Sequence, residues 1–173
     1  LFADIRTVED ARNCVAAVRA ESPGRRGLMG VGMRRDVGTN RDVGNPAYIQ
    51  ALDDVVVAVM VEKRQCVEDL ENILSVQGID MVQFGAADYA MSIGQPHNRG
   101  HADVKAAERR TIETALKLGL HPRIELGDIT MAAPYLEMGV KHFCIGWDAT
   151  ILASWWRENG TAMRKTLEKT FGG

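Results

Sequence analysis

A parallel α/β fold is what the 173-residue sequence predicts, and three features carry that prediction. Segments of strand character alternate with segments of helical character five times, as in a chain of βα units. Residues 55–61 (VVVAVMV) are uniformly apolar with no alternation, which suits a strand buried on both faces of a parallel sheet. Carboxylates fall just beyond the strand ends: Glu62, Asp88, Glu125 and Asp148.

The first strand is expected over residues 1–5. A helix follows, with Thr7 as its cap, Val8, Ala11, Val15 and Val18 on one face, and its end near Glu21, before Pro23 and Gly24. The stretch from Ser22 to about Asn45 is rich in glycine and arginine; its length is unusual for a connector and points to a functional or mobile loop. A short helix is expected over 46–52. After the strand at 55–61, a helix over 65–75 turns Val67, Leu70 and Leu74 inward. A strand over 79–84 ends at Gly85 and leads into a loop over 86–99. The helix over 102–118 presents Val104, Ala107, Thr111, Ala115 and Leu118. A strand over 121–126, a helix over 129–138, a strand over 140–145 and helices over 149–158 and 161–170 complete the chain. Periodicity alone leaves two layouts open: a doubly wound open sheet of the flavodoxin or receiver type, or consecutive units of a barrel.

Hydrophobic residues make up 46% of the chain and charged residues 25%, an ordinary globular balance that excludes disordered, collagen-like and coiled-coil classes. A net charge of −2 gives no basic surplus for nucleic acid. No apolar stretch approaches the roughly 20 residues of a membrane span. Cys14, Cys66 and Cys144 are an odd number and widely spaced. That argues against a disulfide framework and for a reducing, cytoplasmic setting.

The carboxylates bear on chemistry because, in either layout, ligands bind at the C-terminal edge of the strands. A carboxylate directly after a long apolar strand is costly unless paired or metal-bound. Two from adjacent strands repel unless a hard divalent cation joins them, with water and substrate oxygens completing its shell. The plainer alternative for each is a first-turn acid favoured by the helix dipole. Gly85-Ala86-Ala87-Asp88 offers small residues and approachable amides for a carboxylate or phosphate. His97 and His101 are spaced as a metal pair, but Pro96 and Gly100 argue for a surface loop. His121 and His142 are expected to be structural. Arg25, Arg26, Arg34, Arg35 and Arg41 fit an anion, a subunit contact or solvent. Trp147, Trp155 and Trp156 fit packing or an interface.

Several segments resemble, in order, the HpcH/HpaI family of metal-dependent class II pyruvate aldolases. Val57-Ala58-Val59-Met60-Val61-Glu62 resembles its strand ending in a metal-binding Glu. Residues 79–94 (IDMVQFGAADYAMSIG) resemble its D-x-x-x-x-G-P-x-D-L-S-x-S-x-G segment, and residues 67–78 (VEDLENILSVQG) the helix before it. Pro-Gly-Arg-Arg-Gly at 23–27 resembles a P-x-G-x-R-G loop, and residues 139–148 the last strand and its G-x-D end.

The resemblance implies a TIM (β/α)8 barrel. This chain would be a single domain covering about its last five βα units, with the first units upstream of Leu1. It implies that Glu62 and Asp88 hold Mg²⁺, Mn²⁺ or Co²⁺, while the backbone at Gly85 and Ala87 cradles the carboxylate of a 2-oxo acid. The metal then acts as a Lewis acid on a pyruvate enolate, which adds to an aldehyde or is released from a hydroxy-2-oxo acid. A homo-oligomer, trimer or hexamer, is implied, with no nucleic-acid or membrane partner. No residue here corresponds to the family's acid–base His/Asp pair or its substrate-binding Arg, which are expected upstream of Leu1. Ala86 and Tyr89 stand where the family has Pro and Leu, and Met60 where many members have Gln. Lys63 adjoins Glu62, but strand neighbours point to opposite faces, which argues against it as a Schiff-base nucleophile. Alternatives are an acyl-CoA lyase of the citrate-lyase β or citramalyl-CoA type and a non-catalytic receiver-like α/β domain.

Overall fold

Strands β1 (Ala58–Val61), β2 (Met81–Phe84), β3 (His121–Leu126) and β4 (His142–Ile145) stand side by side in chain order, every pair parallel. This computed structural model describes residues 1–31 and 44–172, so Arg34, Arg35 and Arg41 lie outside the described residues. The strand expected over 1–5 is reduced to one bridge, Phe2 beside Val59. The Phe2 amide donates to Ala58 O at 2.8 Å and the Met60 amide to Phe2 O at 2.8 Å. Two residues on, Asp4 takes φ +62, a left-handed conformation that ends extended pairing and that Asp tolerates better than most side chains. The order is thus the Phe2 segment, β1, β2, β3, β4, without reversal. A doubly wound sheet of the flavodoxin or receiver type places its first strand between later ones. Here the first segment lies outside β1, which rules out that layout and the receiver-like alternative.

The helices are α1 (Val8–Ala16), α2 (Pro46–Asp53), α3 (Arg64–Glu68), α4 (Leu70–Leu74), α5 (Ala86–Ser92), α6 (Ala102–Lys117), α7 (Ala133–Glu137) and α8 (Asp148–Phe171). Helix α1 packs on α4, and α4 on α6, which lies against β2 and β3. Their apolar faces meet one face of the sheet. Val59, Val61 and Val82 are buried with Leu70, Ile73, Leu74, Val104, Ala107 and Ala115. Ile112, Ile124, Leu126 and Val140 form a second cluster. Each buried Val, Leu or Ile side chain contributes roughly 1.5–3 kcal/mol by leaving water. Cys66 is fully buried among them, and burial pushes its thiol up to about 12, so it packs as an apolar residue. All three cysteines are free.

Several expected elements are shorter or divided. Helix α1 stops at Ala16 instead of near Glu21, because the chain turns there to bring Ala20 beside Met29. The helix expected over 65–75 breaks into α3 and α4 at Asp69, whose φ −107 and ψ 30 leave the helical region. Val56 is 59% exposed; the apolar run is buried only from Val57, where pairing with β2 begins. Residues 129–138 form a 3₁₀ turn (Ile129–Ala132) and then α7. Gly160 does not interrupt α8, which spans both expected C-terminal helices. Leu118 is 37% exposed, since α6 ends one residue earlier. Among the described residues, no helix is long and apolar enough to cross a membrane.

The start of α1 carries a testable local term. Thr7 Oγ1 accepts from the Asp10 amide at 3.1 Å, and Asp10 Oδ2 accepts from the Thr7 and Arg6 amides at 2.8 and 3.0 Å. This is a capping box. Thr7→Ala is expected to cost about 1 kcal/mol in urea unfolding at neutral pH. The Thr7 hydroxyl, then the Arg6 and Thr7 amides, hold the Asp10 carboxyl below its ordinary range against partial burial. A carboxylate depressed in the fold stabilises above its unfolded pKa and loses that contribution as pH falls through the folded value. The stability gap between wild type and Asp10→Asn should therefore close as pH drops through the acidic carboxylate range. A gap that stays constant there would remove the charged box from the account.

Candidate functional site

Strand alternation makes the sheet's two faces unlike. In β3, Pro122, Ile124 and Leu126 are buried toward the helices, while His121, Arg123 and Glu125 point to the other side. Register aligns Met60, Gln83, Arg123 and His142 in one row on that side. Arg123 Nη1 donates to Gln83 Oε1, and Gln83 Nε2 donates to Glu125 Oε2 at 3.3 Å. Gln83 is 4% exposed; these partners offset the cost of burying its amide. The His121 and His142 rings meet edge to face at 5.0 Å between centroids, at the opposite strand end from Glu62.

At the C-terminal end of β1, β2 and β3 lies a cavity of about 200 Å³ lined by Met60, Glu62, Gln83, Gly85, Ala87, Asp88, Arg99, Glu125 and Trp147, among others. Four residues expected at a metal and substrate site, Glu62, Gly85, Ala87 and Asp88, thus share one cavity. Glu62 follows β1 directly and is 5% exposed. Its Oε1 accepts from the Asp4 amide at 2.7 Å; among the described residues no donor reaches Oε2. A Cβ on Gly85 would come within 2.7 Å of both Glu62 Cβ and Oε2, and within 3.2 Å of Met60 Sδ. Only a glycine leaves this carboxylate its place. Asp88 sits in the first turn of α5, a helix where the sequence suggested a loop, and its side chain is 47% exposed.

The Gly85 amide is already committed, donating to Val61 O at 2.9 Å. Gly85 therefore serves the cavity by its missing side chain, not by its N–H. Ala87 lies in the first turn of α5, which has no side-chain cap, so its amide has no helical partner. Among the described residues, no three His, Cys, Asp or Glu side chains converge as a metal cluster. A cation held here would have two carboxylates, with further oxygens from water and substrate. That donor set fits Mg²⁺ or Mn²⁺ better than zinc.

Lys63, next to Glu62 in the chain, pairs with two carboxylates: its ammonium reaches Asp88 Oδ1 at 3.4 Å and Asp4 Oδ1 at 3.2 Å. Burial pulls its pKa down, but the hydrogen bonds and charges of Asp4 and Asp88 outweigh it, and the net shift is upward. An ammonium held protonated in this way is a poor imine-forming nucleophile.

The remaining polar candidates disperse. Glu125 lines the cavity wall. Asp148 is a first-turn residue of α8, with Oδ1 bonded to the Ala149 amide at 2.7 Å. His101 caps α6, its Nδ1 accepting from the Asp103 amide at 3.2 Å. His97 is exposed with φ +62. Arg25 pairs with Asp53 at 2.7 Å. Trp155 and Trp156 pack edge to face on α8 and are 52% and 66% exposed. Gln83, Arg99 and Arg123 join the site only in the fold. The alternation His121-Pro122-Arg123-Ile124-Glu125-Leu126 was a signal for a polar inner face.

The HpcH/HpaI aldolase/citrate lyase family profile matches residues 2–154. A curated relative, 4-hydroxy-2-oxo-heptane-1,7-dioate aldolase of Salmonella newport, is 35% identical over 170 residues, covering 98% of this chain and 62% of its own length. The chain thus spans less than two-thirds of such relatives. A solved HpcH/HpaI aldolase/citrate lyase family protein from Burkholderia cenocepacia superposes with a TM-score of 0.77 at 30% identity, over 94% of this chain and 63% of that one. An HpcH/HpaI aldolase from Desulfitobacterium hafniense, at 21% identity, shares the fold with a TM-score of 0.75 over 94% of this chain and 62% of that one. Profile, sequence and fold agree, and the chain belongs to the HpcH/HpaI aldolase/citrate lyase family.

Proposed function

We propose that this chain carries the metal-holding part of a class II aldolase. Such an aldehyde-lyase cleaves or forms hydroxy-2-oxo acids by way of a pyruvate enolate. The observation that carries this reading is that buried Glu62 and half-exposed Asp88 line one small cavity beside the first turn of α5. Family membership supports lyase chemistry. The sequential strand order supports a (β/α)8 barrel of which these units form the C-terminal part. The exposed apolar residues of α8, Trp156 and Phe171 among them, suit the homo-oligomer implied above.

In this reading Glu62 and Asp88 hold the divalent cation, Mg²⁺, Mn²⁺ or Co²⁺. When bound, that cation supplies Lewis acidity to the oxygens of the 2-oxo acid. The Asp4 amide keeps Glu62 oriented, and Gly85 leaves room for its carboxylate. The Ala87 amide offers a donor to the substrate carboxylate. Gln83, held by Arg123 and Glu125, forms a polar wall on the sheet side.

A Mn²⁺ titration tests the site. The double variant Glu62→Ala/Asp88→Ala is expected to abolish the binding seen with wild type; unchanged affinity would overturn the assignment. For the complete protein, pyruvate release from hydroxy-2-oxo acids is the expected activity. Cleavage of an acyl-CoA without it would instead favour the citrate-lyase β type of chemistry.

A further inference from the structure

Lys63 makes this site more than a pair of carboxylates. Its side chain is only 14% exposed, and its ammonium lies between Asp88 Oδ1 at 3.4 Å and Asp4 Oδ1 at 3.2 Å. Asp4 is itself unusual. Its φ of +62 is one of two positive values at non-glycine residues among the described residues. Such strain persists where the surroundings over-determine it, and here they do: the Asp4 amide donates to Glu62 Oε1 at 2.7 Å and its carboxylate takes Arg6 Nη2 at 2.9 Å. One residue therefore orients Glu62 through its backbone and anchors the cation that sits on Asp88 through its side chain.

We propose that Lys63 is an internal counter-ion of Asp88 that competes with a divalent cation for that carboxylate, and that Asp4 sets the balance by offering Lys63 a second seat. The proposal rests on the reading that Glu62 and Asp88 hold the metal. A cation taking Asp88 Oδ1 would compete with the ammonium for that oxygen, and the ammonium keeps Asp4, already its nearer partner at 3.2 Å. Its charge would still lie beside the cation's carboxylate ligand, and the repulsion would lower affinity. Lys63 is thus a positioning residue: it keeps the two carboxylates apart in charge terms while the site is empty and tunes how tightly metal is held.

Removing the Lys63 charge and removing the Asp4 charge are expected to have opposite consequences, which a merely structural ion pair would not produce. Mn²⁺ binding to the purified chain, read by the electron paramagnetic resonance of free Mn²⁺, reports affinity without any turnover. Lys63→Met is expected to bind Mn²⁺ roughly tenfold more tightly, from loss of a unit charge near a divalent ion. Asp4→Asn, which leaves Asp88 as the main seat for the ammonium, is expected to bind more weakly, by about threefold or more. Lys63→Gln removes the charge but keeps a polar end and should behave as Lys63→Met, which covers failure of the apolar variant to fold. If wild type binds Mn²⁺ through Glu62 and Asp88 and both Lys63 variants bind equally or more weakly, the counter-ion role is wrong and the metal site stands. If neither wild type nor the Lys63 variants bind Mn²⁺, the metal site and the counter-ion role fall together.

Discussion

Gly85→Ala is expected to weaken Mn²⁺ binding about 10- to 100-fold, the range seen when groups that orient metal ligands are disturbed. The backbone at Gly85, with φ −96 and ψ 83, does not require glycine, so the substitution tests space alone. The added Cβ would lie 2.7 Å from Glu62 Cβ and Oε2. Moving the carboxylate tip cannot relieve a clash with Glu62 Cβ, because that atom is fixed to the chain at the end of β1. Either Glu62 rotates away from the cavity or β1 and the β2–α5 turn separate. Overpacking of this kind costs about 1–3 kcal/mol, so a lower melting temperature should accompany the lost affinity. Gly160→Ala serves as the control. A Cβ there meets nothing within 4 Å, and the site is inside α8; the substitution should leave metal binding alone and match or slightly exceed wild-type stability. If Gly85→Ala binds Mn²⁺ as wild type does, the crowding of Glu62 is not what glycine is there to prevent.

Arg19→Met is expected to lower stability by about 3 kcal/mol, among the larger effects of a single substitution. In the fold the Arg19 guanidinium is largely buried, 16% exposed, and Nη1 donates to Leu52 O and Val55 O at 2.8 Å each. Nη2 reaches Gly78 O at 3.4 Å and Asp80 Oδ2 at 3.7 Å. These acceptors belong to the end of α2, the lead into β1 and the turn into β2. Methionine fills part of the volume but leaves the Leu52 and Val55 carbonyls without this donor, and unmet acceptors away from water carry the desolvation cost; Asp80 keeps the Val57 amide at 2.7 Å. Arg19→Lys should recover only part of the loss, because a single ammonium cannot reproduce the fork. Urea unfolding is the measurement, with a lower midpoint at unchanged slope expected. A drop under about 0.5 kcal/mol would mean the carbonyls find water at little cost.

Both effects come from contacts between residues far apart in the chain, and the same distinction runs through the candidate site. Glu62 was legible because a carboxylate stands at the end of an apolar strand, and Asp88 because it follows a glycine-alanine turn. Those are local patterns. The resemblance implies a carboxylate cradle from the backbone at Gly85 and Ala87, but the Gly85 N–H is spent on Val61 O, a bond that exists only once β1 and β2 are adjacent. The sequence suggests a loop over 86–99, yet α5 forms at its start and buries Tyr89 and Ala90 against the core. Tertiary burial outweighed a local signal too short to announce a helix.

By itself the sequence determined the parallel α/β class, the inward faces of α4 and α6, and the presence of acidic residues at strand ends. It also carried the family motifs. Each of these follows from residue type and spacing over a few turns or one strand, where side-chain direction is set by backbone period alone. Which strands are neighbours was decided only by the tertiary structure, since pairing depends on how crossovers pack and not on any one segment. That packing places Phe2 outside β1, excluding a doubly wound sheet. It stacks Gln83, Arg123 and Glu125 on one face, and it brings the Asp4 amide to Glu62 and the Lys63 ammonium to Asp88. Charges from three segments act on one another in the site only because the folded sheet holds them within a few ångströms.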